Sequence, residues 1–552
     1  MMPIQSVAEL LASCESTAAA SPYIISPGTY REQKGTGGWL KPNFPEMTVP
    51  VPFAATEEEI FVISDLHIAS GKDSLGVYSG LENFFADQAF DRFLKDAEAS
   101  ADRQQKKALL VINGDTFDFL RVTDIPSGVE DILEWQQELE KLTINKTTAQ
   151  LSSCISARER KYGLETDDYK TIFKLMAIRK GHPPFFTGLA RWIGKGHRLL
   201  ILKGNHDLEI VWPAVRNYIR LLIGEAIAET SGATSVARSP AAPGAMSPDP
   251  PGLYHILRYI VLPRISFIDD AVLIESTLYL EHGHRYDKFT MVLDSPFINR
   301  KGHDAEINIP FGSFFNRYLI NRIELAYPYM DKVRPTANIL PILLSQNLPL
   351  ALKMFGSQVP LFLRILFTNR RYVWFMLRRV VPLLLAALPI ILYLGWLLYP
   401  LLTKGSTQPA KTGIGNTIFQ TAMKTLGSAG SLILSYFLAR LVGWLQLTEP
   451  SSLDDYARHV CRLSHRVYPV MSMGHTHNPS ACDPGTKAVF FNTGTWIPVI
   501  ETSTLDVRED KMYTFLHLER DSNGGLVVVP NHLERWNDDA GRAEPQLLIR
   551  PK

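Results

Sequence analysis

The chain has 552 residues, with 57 Lys and Arg against 56 Asp and Glu and a formal net charge of +1. That balance excludes the strong global field that draws a protein to nucleic acid, while the length allows a large core and more than one structural unit. The cysteines, Cys14, Cys154, Cys461 and Cys482, are too few and too scattered for a disulfide framework or a thiolate zinc site.

The opening stretch, MMPIQSVAELLASCESTAAASPY, has no basic start before an apolar core, so no secretory signal is predicted. Residues 1–57 read as an irregular lead-in. Short β-rich apolar runs follow: IFVIS (60–64), ALLVIN (108–113), RLLILK (198–203), VLIESTLYLE (272–281) and YPVMSM (468–473). Such runs, separated by helical patterns, predict the buried strands of an α/β (α+β layered) core. Residues 127–195 alternate charged and apolar residues at helical spacing, as in DILEWQQELEKL, and predict an inserted helical layer. Residues 229–252, rich in Ser, Ala and Pro, predict a flexible surface loop. From Leu340 to Leu447 the composition shifts toward Leu, Ile, Phe and Pro. Three more strand-like runs, FFN (490–492), MYTFLHLE (512–519) and GLVVVP (525–530), close the chain ahead of a tail, 536–552. The expected organisation is therefore one domain from 58–335 and 450–535, interrupted by an apolar insertion at 336–449.

Each strand candidate is followed by residues of metal-ligand type: SDLH (64–67), NGDTFD (113–118), GNHD (204–207), EHGH (281–284) and MGHTH (473–477). One such cluster means little, because a lone His is most often a hydrogen-bonded core residue. Five of them, each at a strand end, are expected to converge, since the carboxyl ends of α/β strands share one edge. Carboxylate, amide oxygen and imidazole together suit divalent ions of borderline hardness, namely Mn, Fe, Zn or Co. There are too many donors for one closed tetrahedral site, so two open sites are the natural count.

Asp65-x-His67, Gly114-Asp115, Gly204-Asn205-His206-Asp207, His282-Gly283 and Gly474-His475-x-His477 together resemble the calcineurin-like metallophosphoesterases, in the family's order. The resemblance implies a β-sandwich flanked by helices. It further implies two divalent ions, one held by Asp65, His67 and His477, the other by Asn205, His282 and His475, with Asp115 bridging. His206, backed by Asp207, would be the catalytic pair near the scissile phosphate, and a bridging hydroxide would attack phosphorus. GDTFD, EHGHRYD and GHTHNP look most like the branch that contains UDP-diacylglucosamine pyrophosphohydrolase. That branch more often has His-Gly-Asp where this chain has His282-Gly283-His284. His284, Arg285 and Asp118 are the candidate substrate contacts, with pairing to Asp118 or Asp287 as the alternative for His284 and Arg285.

From Val380 to Thr403 no residue is charged, about the length that crosses a hydrocarbon core of roughly 30 Å. A second apolar segment, 431–447, carries only Arg440 and allows the chain to return to the same side. Return is required, because His282 precedes the bar while His475 and His477 follow it. Arg364, Arg370, Arg371, Arg378 and Arg379 ahead of the bar point to a cytoplasmic catalytic face. The sequence thus predicts a membrane-associated, metal-dependent phosphoric ester or anhydride hydrolase acting on a lipid or lipid-linked substrate, with no nucleic-acid partner. The alternatives are a soluble, nucleotide-like substrate with the membrane as anchor only, and a metal-free scaffold.

Overall fold

Continuous apolar runs give each central strand two buried faces, because successive side chains point to opposite sides, and that alternation organises the architecture. The computed structural model describes residues 6–18, 50–230 apart from 56, 252–287, 290, 292, 297–298, 306–326, 349, 356, 468–482, 489–500 and 507–546. The chain divides into two compact units, Met1–Val333 with Leu453–Lys552, and Arg334–Ser452. The predicted membrane segments 380–403 and 431–447, and the loop 231–251, lie outside the described residues. Among the described residues no helix is long and apolar enough to cross a membrane.

Strands β1 (Val51–Phe53), β2 (Glu59–Ile63), β3 (Ala108–Asn113), β4 (Arg198–Leu202), β5 (Ile265–Ile268), β6 (Ala271–Ile274) and β7 (Leu278–Glu281) come first. A short ribbon, β8 (Phe297–Ile298) with β9 (Glu306–Ile307), precedes β10 (Val470–Met473), β11 (Ser480–Cys482) and β12 (Val489–Asn492). The last strands are β13 (Thr514–Arg520), β14 (Leu526–Val528), β15 (Glu534–Asn537) and β16 (Arg542–Pro545). One mixed sheet runs β16-β15-β13-β2-β3-β4-β5, with β14 on β13; β2 to β5 are parallel and β13 is antiparallel to β2. The other mixed sheet runs β1-β6-β7-β10-β12-β11, with β7, β10 and β12 parallel. Helices α1 (Val7–Ala18), α2 (Asp87–Arg103), α3 (Val129–Glu140), α4 (Thr148–Ser153), α5 (Glu159–Tyr162), α6 (Asp168–Gly181), α7 (Pro183–Gly194) and α8 (Pro213–Thr230) accompany them.

The alternation decides what each sheet face meets. Ile60 and Val62 of β2, with Leu109, Val111, Leu200 and Leu202, pack against Val272, Ile274, Leu278, Leu280 and Phe491 of the second sheet. Phe61 and Ile63, with Leu110, Ile112 and Ile201, join Phe90, Phe93, Ile172, Phe185 and Ile219 from the helices instead. The result is a face-to-face pair of sheets with helices over the outer face of the larger one. Each fully buried side chain of this kind contributes about 1.5–3 kcal/mol through burial.

Three expectations are corrected. The lead-in is not irregular throughout: Ser6 and Glu9 exchange side-chain-to-backbone hydrogen bonds at 3.1 Å, a capping box that starts α1. Val7, Leu10 and Leu11 of that helix are buried, and β1 pairs parallel with β6. VLIESTLYLE is a hairpin, not a single strand, because Glu275 and Ser276 both take positive φ (49° and 58°) between β6 and β7. The described part of the expected tail, 536–552, instead contributes residues of β15 and β16 to the larger sheet, where Trp536 is 2% exposed in β15.

Candidate metal centre

The five polar clusters emerge from the carboxyl ends of β2, β3, β4, β7 and β10, so strands from both sheets deliver their ends to one cleft. The loops are woven together by backbone hydrogen bonds. Asp65 N–H donates to the Gly114 carbonyl (3.2 Å), His67 N–H to Asp115 (2.9 Å) and Gly474 N–H to His282 (3.0 Å). The turn after β12 closes the weave, as Trp496 N–H and the Thr495 hydroxyl both donate to the Asp65 carbonyl (3.1 and 2.8 Å). Trp496 itself is fully buried against Phe90 and Phe93, a packing residue. Two glycines are required for this approach: a Cβ at Gly204 would strike the Asp115 carboxylate, and one at Gly474 the Asp65 carboxylate.

All seven predicted ligands lie at this edge. Asp65, His67, Asp115, Asn205 and His282 are at most 2% exposed, while His475 and His477 are partly buried. Donor atoms of Asp65, His67 and His477 lie within 4.8 Å of one another, as do those of Asp115, His282 and His475. His67 Nε2 faces His477 Nε2 at 2.9 Å, and His477 Nε2 is 3.3 Å from Asp65 Oδ1. A single oxygen, Asp115 Oδ2, is 3.6 Å from His67 Nε2 and 3.2 Å from His282 Nε2, so it faces both groups. Two donors ~2.1 Å from one cation at a tetrahedral angle are ~3.4 Å apart, close to these spacings.

The donors are also aimed. His282 Nδ1 donates to the Asn113 carbonyl at 2.8 Å, which fixes the tautomer and leaves Nε2 turned to Asp115. The Asn205 amide oxygen is buried without a hydrogen-bond partner among the described residues. Asp65, His67, Asp115, His475 and His477 all sit at positive φ (56°, 51°, 51°, 71° and 56°). Such conformations cost non-glycine residues roughly 1–3 kcal/mol each and persist only where surrounding structure enforces them.

Electrostatics agree with a cation-seeking site. Burial disfavours charge on His67, yet the Asp118, Asp65 and Asp115 carboxylates outweigh it and push the imidazole up to about 10. His282 is pushed up to about 9 against its burial by Asp115 and Asp65. Burial opposes ionisation of Asp65 and Asp115 too, but the neighbouring imidazoles, His282 foremost, hold both well below the usual carboxylate range. Protons on imidazole here take the place a metal cation would fill, and a cation would displace them.

The remaining predicted residues divide. His206 shares its partner with a ligand: Asp118 Oδ2 is 2.9 Å from His206 Nδ1 and 3.3 Å from His67 Nδ1. Asp118 is thus the residue that backs His206, not Asp207 as expected. Asp207 accepts from Gly204 N–H (2.6 Å) and Thr116 N–H (2.8 Å) and pins the β4 loop to the β3 loop. Burial and Asp115 push its carboxyl up to about 7. Nor is Asp118, at 0% exposure, open to a substrate. His284 is 3% exposed behind His282, and its Nδ1 has no hydrogen-bond partner among the described residues. Burial, with His282 next, holds its imidazole well below the usual range. Arg285 Nη1 lies 3.5 Å from Glu281 Oε1, and Asp287 Oδ2 lies 3.5 Å from His475 Nε2.

Sequence reasoning missed Arg121 and Glu324. Arg121 Nε is 3.3 Å from Asp118 Oδ2 and its Nη1 donates to Glu324 at 2.7 Å, all three side chains being buried. The i,i+3 spacing of Asp118 and Arg121 was a usable signal; Glu324, some two hundred residues on, gave none. Comparison of the chain with protein-family models, with curated proteins and with solved structures found no match.

Proposed function

We propose that this chain is a dinuclear-metal phosphoesterase of the calcineurin-like kind, hydrolysing a phosphoester or phosphoanhydride bond. The observation that carries the reading is the convergence of six oxygen and nitrogen donors from the ends of β2, β3, β7 and β10, with Asp115 Oδ2 facing both groups and Asn205 on the loop whose His206 N–H holds Asp115. When bound, two divalent cations supply Lewis acidity toward phosphoryl oxygen and an activated water. The chain's own residues do the rest. Asp115, held by the His206 backbone N–H at 2.8 Å, keeps the two donor groups in register. His206, oriented by Asp118 and more open than its neighbours (16% side-chain exposure), donates a proton to the leaving oxygen. The face-to-face sheets with flanking helices fit the family's architecture.

The substrate is proposed to be a lipid or lipid-linked phosphate, because the uncharged segment 380–403 and the apolar segment 431–447 interrupt the same domain. The test is hydrolysis by the purified full chain, supplied with Mn, Zn or Mg, across phospholipids, lipid pyrophosphates and nucleotides. Turnover with long acyl chains and little with short-chain analogues supports the lipid assignment; preference for nucleotides replaces it with a soluble substrate. No hydrolysis with any cation, and no bound metal, defeats the whole reading. Deleting 340–447 should release the protein from membranes, and a variant that still sediments with lipid removes the case for membrane docking through that segment.

A further inference from the structure

The amino ends of the central strands carry a second gathering of donors, away from the strand ends that build the cleft. The antiparallel register of β13 on β2 pairs Leu518 with Ile60 and so sets Glu519 across from Glu59. Like charges directly opposite on neighbouring strands repel, so the pair calls for a cation between them. His517 stands beside them. Its ring stacks on Phe61, 4.4 Å between centres and 6° between planes, which fixes the imidazole plane. Its Nε2 is 3.3 Å from Glu59 Oε2 and 3.6 Å from Glu519 Oε1. On the other side of the ring, Nδ1 lies 3.8 Å from Glu534 Oε2.

One imidazole therefore has carboxylates at both nitrogens. With the ring proton on Nδ1, on the Glu534 side, Nε2 is a lone-pair donor facing Glu59 and Glu519. The donor spacings match the ~3.4 Å edge expected for ligands around one cation. Independently, Glu59 is 1% exposed and its Oε1 is buried without a hydrogen-bond partner among the described residues. An ionised carboxylate left that way is costly unless something cationic completes it.

We propose that Glu59, His517 and Glu519 form a third divalent-cation site, separate from the cleft and structural in role, tying β13 to β2. One nitrogen and two carboxylates suit Zn or Mn rather than Ca or Mg. Stacking on Phe61 orients His517, and the partly exposed Glu519 side leaves a path for the ion from solvent.

Metal content of the purified full chain, after loading with Zn and dialysis, tests this without any activity assay. The expected count is three ions for the wild type, two for Glu519→Gln and one for Asp115→Ala. Glu519 is the most open of the three side chains, so its substitution is the least apt to disturb folding. As a second measurement, Zn should raise the unfolding temperature of Asp115→Ala but not of Asp115→Ala with Glu519→Gln. An unchanged count in Glu519→Gln, or an equal Zn shift in both variants, overturns the proposal. A count that falls with Glu519→Gln but not with Asp115→Ala defeats the cleft reading and leaves this site standing.

Discussion

Two buried histidine–carboxylate clusters in this molecule carry similar charges and opposite structural habits. In the cleft, donors sit on strained backbone, the Asn205 amide oxygen and His284 Nδ1 have no hydrogen-bond partner among the described residues, and imidazoles crowd one another. Around His182 every donor is answered. His182 Nδ1 lies 3.1 and 2.9 Å from the two Asp87 oxygens, and Nε2 lies 3.1 Å from Glu82 Oε2. Glu82 in turn accepts from the N–H groups of Ala69, Gly71, Asn83 and Phe84. Histidines are pushed up in both places, to about 9 at His182 and about 10 at His67. A raised imidazole is therefore no guide to function. Strain combined with unanswered donors is the better guide, because a purely structural cluster relaxes into full hydrogen bonding.

That comparison breaks first at Asp115. Asp115→Ala removes the oxygen that faces both donor groups, and cleft metal content and hydrolysis should both fall to background. A fully active, metal-loaded variant would place the cleft among the structural clusters. His206→Ala comes next. Turnover should drop about 10²–10⁴-fold, as for loss of a general acid, with metal content unchanged. If metal is lost in parallel, His206 is a ligand, which its closeness to His67 and Asp115 allows geometrically. Asp118→Asn should cost about 10–100-fold, the usual effect of removing a carboxylate that orients ligand and catalytic imidazoles. Because Asp118 Oδ2 serves both His67 and His206, both metal affinity and kcat should fall.

The sequence carried the cleft unusually far and the scaffold less evenly. The candidate donors were legible because each follows an apolar run whose strand identity is plain, and strand ends share an edge. ALLVIN matches β3 residue for residue, since a parallel strand buried on both faces is a continuous apolar run. VLIESTLYLE misled because its turn uses Glu275 and Ser276, where Gly or Asn would have announced positive φ. The partner of His206 was misassigned because neighbours in GNHD are adjacent in sequence but turn apart in space. Asp207 faces back to its own loop, and Asp118 arrives from β3. β15 and β16 were missed because ERWN and RAEP lack the apolar alternation of a strand, and pairing with β13 supplies their order.

The mildest test concerns the satisfied cluster. His182 has its pKa raised from 6.5 to about 9: burial opposes the charge, and Asp87 and Glu82 outweigh it. A group raised in the folded state gives stability that is fully present below 6.5 and is lost as pH climbs through about 9. The interval corresponds to about 3 kcal/mol, an order-of-magnitude figure for a group buried with its partners. His67 and His282 give the metal-free protein a dependence of the same sign, so the informative quantity is the difference between wild type and His182→Gln. Chemical unfolding in excess chelator should show the variant weaker by about 3–5 kcal/mol at mildly acid pH, since two carboxylates lose their cation. The gap should narrow as pH approaches the alkaline end of the window. Cleft metal content, measured on the folded variant, should not change. A gap independent of pH would mean that His182 is neutral in the folded protein, while loss of cleft metal would mean that the loop held by Glu82 passes its order on to His67.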